Sequence, residues 1–120
     1  MAIYVDDMHL TPLGRFGRMQ MCHMIADTDD ELHAMAVRIG IAHRHFQSRG
    51  TARRHYDVCA SMRKLAVANG AVEVTLKQAA AMTARRKWLG VLGQPGDEVQ
   101  WVRQHSARVR CSCEDLFAGR

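Results

Sequence analysis

Along most of the chain, apolar positions recur with a period that switches between two and about 3.6 residues, the signature of strands alternating with helices. A short β-prone run at 3–5 ends in Asp6-Asp7. A stretch containing Pro12, Gly14, Arg15, Gly17 and Arg18 then reads as a loop, and 19–26 as a second strand. At Asp27-Thr28-Asp29-Asp30-Glu31 the pattern changes. Thr28 and Glu31 have capping-box spacing, and the acids crowd a first turn whose dipole favours them. Leu32, Met35, Ala36 and Ile39 follow at i, i+3, i+4 and i+7, and Gly40 supplies a left-handed stop, so the spacing predicts a helix over 29–39.

The next apolar stretch, 41–47, predicts a strand, and 48–54 an exposed polar loop that delivers His55-Tyr56-Asp57. Met62, Leu65, Ala66 and Asn69 define a helix over 61–69 stopped at Gly70, and 71–74 a short strand. Thr75 and Gln78 repeat the capping-box spacing and open an alanine-rich helix over 76–88. Gly90, Gly93, Pro95 and Gly96 mark a turn, and 98–109 fits a short helix or a strand equally well. Alternating strands and helices are the grammar of an α/β fold: a small open sheet of about four strands with three helices, its strand order undetermined.

Composition narrows this picture. A length of 120 residues, 48% hydrophobic and 24% charged, fits one α/β domain over 1–120, with 1–80 as its core and 89–120 as a C-terminal extension. No apolar run reaches membrane-spanning length and the first residues lack a basic, apolar leader, so the expectation is a cytoplasmic protein that does not meet a membrane. Cys22, Cys59, Cys111 and Cys113 are expected as reduced thiols, because a domain of this size does not need disulfides. Cys111-Ser-Cys113 lacks the second pair that structural zinc wants.

The net charge of +5 is placed unevenly: Lys/Arg and Asp/Glu balance in the first half, and the second half holds the excess. Arg85, Arg86, Lys87, Arg103 and Arg108, with Trp88 among them, are therefore the candidate nucleic-acid contacts, cations for phosphate and a ring for a base. The competing reading is that they solvate helix ends.

Histidine and carboxylate are skewed the other way, toward residues 1–57. Asp6 and Asp7 end a strand, where open α/β sheets bind ligands, and alternation lets only one of them face a given pocket. His23 shares strand parity with Met21 and Ile25 and leads toward Asp27. His33 lies off its helix's apolar stripe, while His43 and His45 read as surface residues. Asp57 is either a helix cap or, with His55, part of a site. An oxygen and nitrogen set of this kind suits a divalent cation, Mg, Mn or Zn. Asp6, Asp7, His23 and Asp27 are the candidate metal ligands, and His33, His55 and Asp57 the candidate catalytic groups.

Glycine-rich nucleotide loops and the serine-hydrolase elbow are absent. The expected function is metal-dependent hydrolysis of phosphoester bonds in nucleic acid or a nucleotide. The alternatives are a non-catalytic nucleotide or nucleic-acid binder, and a self-associating interaction protein with a methionine-rich surface that would form a homo-oligomer.

In their order, Tyr4-Val5-Asp6-Asp7-Met8, His23 with Ala26-Asp27-Thr28, Glu31-Leu32-His33, His55-Tyr56-Asp57 and Gly70-Ala71-Val72-Glu73-Val74 resemble a small bacterial and phage family, domain of unknown function 4031, over residues 2–80. The resemblance implies an identity and no activity. Two positions depart from the family pattern. Cys59 stands where Ser or Thr is common, which removes a hydroxyl cap from the following helix, and Cys22 stands where Trp commonly precedes the histidine.

Overall fold

The computed structural model describes residues 2–105. Six strands run in chain order: β1 Ile3–Val5, β2 Arg15–Phe16, β3 Met19–Ala26, β4 Phe46–Gln47, β5 His55–Cys59 and β6 Val72–Glu73. The α-helices are α1 Asp29–Ile39, α2 Ala60–Ala68, α3 Leu76–Leu89 and α4 Pro95–Gln104. The mixed α/β class is as the sequence predicts, with more strands than the expected four. The strands beyond those expected are β2, two residues long and too short to print a period on the sequence, and β5, formed by the residues that follow the expected polar loop.

The sheet order is β4-β5-β3-β1-β6, with β2 paired to the start of β3. β1 and β6 are parallel and all other pairs antiparallel. The eight-residue β3 is the spine. It pairs β1 through Val5↔Met24 and β5 through His23↔Asp57. Gly14, in a 3-10 turn between β1 and β2, lies so close to the backbone that a methyl there would overlap the carbonyl oxygens of Met8 and Met21.

Alternation along the strands sorts side chains onto two faces. One face carries Ile3, Val5, Cys22, Met24, Ala26, Tyr56 and Val58, buried with Leu32, Met35, Ala36 and Ile39 of α1 and Ala66 of α2. The other carries Tyr4 and Ile25, buried against Ala79 and Met82 of α3 and Leu92. Alanine at 79, 80, 81 and 84 keeps α3 slim, which lets its backbone approach the sheet. Thr75 and Gln78 close the full capping box expected of α3, whereas at α1 Thr28 accepts from the Glu31 N–H but its hydroxyl, not its backbone N–H, donates to the Glu31 carboxylate. Gly40 closes α1 in the left-handed conformation.

Two segments differ from expectation. His43–His45 is a 3-10 turn, with only Phe46–Gln47 forming a strand, because three consecutive polar exposed residues have no apolar face to lay on a sheet. His55-Tyr56-Asp57 is the body of a strand and not a loop, and Asp57 does not cap α2. Cys59 holds that N-cap position and makes no side-chain capping bond there.

Candidate metal centre

Where β1 leaves the sheet, its last backbone bond is the Asp6 N–H donating to the His23 carbonyl at 3.1 Å. The returning bond is made by a side chain. Asp6 Oδ1 accepts the His23 N–H at 3.0 Å and the Met8 N–H at 3.1 Å. Asp6 Oδ2 accepts from His23 Nδ1 at 2.6 Å. Arg63 of α2 donates from Nε to the Asp6 carbonyl at 2.8 Å and pairs with Glu73. Asp6 is therefore a buried, fully engaged brace whose partners fix the His23 ring.

His55 is held in the same manner from the neighbouring strand. Its Nδ1 donates to the Arg53 carbonyl at 2.6 Å. A carbonyl only accepts, so Nδ1 carries the proton and Nε2 of the neutral ring is a lone pair. That Nε2 is buried without a hydrogen-bond partner, on a residue 2% exposed, and stands 3.4 Å from Asp57 Oδ1. Gln47 of β4 steadies the carboxylate by donating to Oδ2 at 2.8 Å. The His23 and His55 rings meet edge to face, centroids 4.9 Å apart.

With the ring neutral, His55 Nε2 and Asp57 Oδ1 face each other at 3.4 Å as two acceptors, a juxtaposition that a proton or a metal cation between them satisfies. His23, His55 and Asp57 each offer one ligand atom, all within 4.8 Å of one another. A metal about 2.0–2.2 Å from each of three donors holds them about 3.0–3.6 Å apart. The His55 and Asp57 pair already meets that spacing. The widest pair closes by about 1 Å, a small side-chain rotation on this scale. Two imidazoles and one carboxylate, each imidazole braced through its other nitrogen, form a three-ligand set of the kind that leaves coordination positions open.

The other candidate ligands stand elsewhere. Asp7 accepts the Leu76 N–H at 2.7 Å and so serves the first turn of α3. Asp27 is beyond the far end of β3 and accepts the Ala2 N–H at 3.1 Å. It is four residues from His23, about 13 Å along a strand. His33 lies across the sheet, on the α1 and α2 side, where Nδ1 bonds the Tyr56 hydroxyl at 2.8 Å and the ring packs on His43 and Phe46. The structure places Asp7, Asp27 and His33 apart from this cluster. Asp6 braces His23, and His55 and Asp57 join His23 in the group that could hold a metal ion.

Among the candidate nucleic-acid contacts, Arg86 is corrected too. It is buried, and its guanidinium donates to the Ala26 and Ala52 carbonyls, tying α3 to the sheet. Burial pushes its pKa down to about 10, with the nearby Arg54 adding to the shift. Arg85 is half-buried, Lys87 lies over the Trp88 ring, and Arg103 is exposed on α4. Arg108, Cys111 and Cys113 lie outside the described residues. Three supports escaped the sequence reading: Gln47, Arg63 and the Arg53 carbonyl. The legible clue was His-x-Asp at 55–57, which points both side chains to one face once the segment is read as a strand.

The fold and site together define a small α/β protein with two buried histidines and one half-buried carboxylate clustered on one sheet face. The family model described as protein of unknown function (DUF4031) matches residues 3–86, and the chain belongs to that family. The matched span holds Asp6, His23, His55 and Asp57 and ends at Arg86. No curated protein and no solved structure matches the chain.

Proposed function

We propose that the protein is a metal-dependent hydrolase of phosphoester bonds whose divalent cation is held by His23 Nε2, His55 Nε2 and Asp57. The observation that carries this reading is the buried His55 Nε2, which has no hydrogen-bond partner and stands 3.4 Å from the Asp57 carboxylate in a cluster with His23. Nitrogen donors favour zinc over magnesium among the cations the sequence allows. Bound there, a divalent cation would supply Lewis acidity and an activated water. Asp6 sets the His23 tautomer, the Arg53 carbonyl sets that of His55, and Gln47 orients Asp57. The net charge of +5 favours a phosphate-bearing substrate over a neutral one.

The test is turnover of bis(p-nitrophenyl) phosphate and of a labelled oligonucleotide by chelator-treated protein resupplied with Zn, Mn or Mg. Metal-dependent cleavage that is lost in His55→Ala is the expected result. Stoichiometric metal binding without cleavage of either substrate would leave the centre in place and refute the hydrolase.

A further inference from the structure

The helical cover of the metal-site face is incomplete. On β3, Ile25, His23, Met21 and Met19 share that face. Ile25 and His23 are buried, Met21 is half-buried, and Met19 is 47% exposed. α3 covers the Ile25 end. Beyond His23 the exposure climbs toward the hairpin that β2 makes with β3, where Phe16 pairs with Met19 and is 71% exposed. Phe16 thus lies on the same face as the cluster, past Met19, which is itself about 13 Å along the strand from His23. Gly17 turns the hairpin in the left-handed conformation, and the exposed Arg18 sits beside it.

The charge of this hairpin is one-sided. Between Met8 and Ala26 there is no Asp or Glu, while Arg15 and Arg18 flank Phe16. An exposed ring beside a guanidinium group, on a hairpin whose own residues include no carboxylate, has the chemistry that grips a single-stranded nucleic acid: a ring for a base and a cation for its phosphates. A second copy of the chain would bring like charges together at the same place, which disfavours self-association here.

We infer that the β2–β3 hairpin, through Phe16 and the adjoining Arg18, is a docking platform for single-stranded nucleic acid on the face that carries the metal cluster. The inference deepens the hydrolase reading, on which it rests, by naming the substrate class. It also moves the nucleic-acid contact from the basic C-terminal half to the hairpin.

The experiment is fluorescence anisotropy with a labelled oligothymidylate and the full chain, in chelator, so that binding is read without turnover. Salt-sensitive binding is expected. It should weaken about tenfold in Phe16→Ala through lost base stacking. In Arg18→Ala it should weaken with a salt slope smaller by about one. Each substituted side chain is exposed, so thermal melts should match the parent. Zinc calorimetry on the Phe16→Ala protein should be unchanged. Failure of the metal reading would show in the calorimetry, whereas failure of the docking platform would show in the anisotropy. The inference is overturned if the parent chain does not bind the oligonucleotide, or if Phe16→Ala and Arg18→Ala bind it equally well. It is also overturned if Phe16→Ala instead abolishes self-association or binding to anionic vesicles, which the exposed Leu10 and Leu13 nearby would serve.

Discussion

Histidine sits on both faces of the sheet, and the two settings differ in what holds the ring. On the α1 and α2 side, His33 bonds the Tyr56 hydroxyl, a group that both donates and accepts, so either tautomer is satisfied. Burial raises the Tyr56 pKa, and the phenol keeps its proton. On the other side His23 and His55 give their Nδ1 protons to groups that only accept, the Asp6 carboxylate and the Arg53 carbonyl. In a neutral ring that arrangement leaves Nε2 as the acceptor atom. A histidine becomes a ligand through the partner of its other nitrogen, and counting histidines in a sequence does not show that partner.

The sharpest way to break this contrast is to remove one ring from each side. His55→Ala or His23→Ala should abolish metal-induced stabilisation, which in the parent amounts to about 2.7 kcal/mol at a metal concentration of about 100 Kd. His33→Ala should keep it in full. Thermal melts with and without zinc, and after chelation, read the difference. Equal loss in all three variants would erase the distinction between the faces.

Changing the brace is the next largest effect. Asp6→Asn keeps an oxygen for the His23 and Met8 N–H groups, but its amide now donates to His23 Nδ1 and forces the proton to Nε2. Metal affinity should fall by about 10–100-fold with the fold intact. An unchanged Kd in calorimetry would show that Asp6 has no such role.

On the opposite face, Tyr56→Phe removes the hydrogen bond to His33 from a packed aromatic group. It should cost about 0.5–1.5 kcal/mol of stability in urea unfolding. Metal affinity should not change, and a shift in it would mean that the two faces are coupled.

The cysteines give the smallest test. Burial pushes the Cys22 thiol up to about 12, while the hydrogen bond with the Ser61 hydroxyl holds Cys59 below the ordinary thiol value. Thiolate is the reactive form, so near pH 8 iodoacetamide should modify Cys59 well before Cys22, read by peptide mass spectrometry. Cys22 reacting first would contradict its placement on the buried face.

Regular elements were legible in the sequence because each carries a local signal. The Thr28 and Thr75 caps and the Gly40 stop mark α1 and α3 within a residue. β3 announces itself by length. The site was legible only in its ingredients. Asp6, His23, His55 and Asp57 all stand among the candidates, yet their division into brace and ligands depends on the β1–β3–β5 register, and pairing across 17 and more residues leaves no local trace. Asp7, Asp27 and His33 have the same residue types at similar element ends, and backbone N–H groups and a tyrosine hydroxyl claim them. Arg86 shows the same limit on the basic side, since a cation in a run of three was drawn inside by two carbonyls.

The central claim, that His23, His55 and Asp57 hold a divalent cation, is tested most directly by isothermal titration of zinc into the chelator-treated full chain and its His55→Ala variant. The account predicts one equivalent bound by the parent that disappears in His55→Ala and persists in His33→Ala. Absence of binding by the parent, or an isotherm unchanged by His55→Ala, would contradict it.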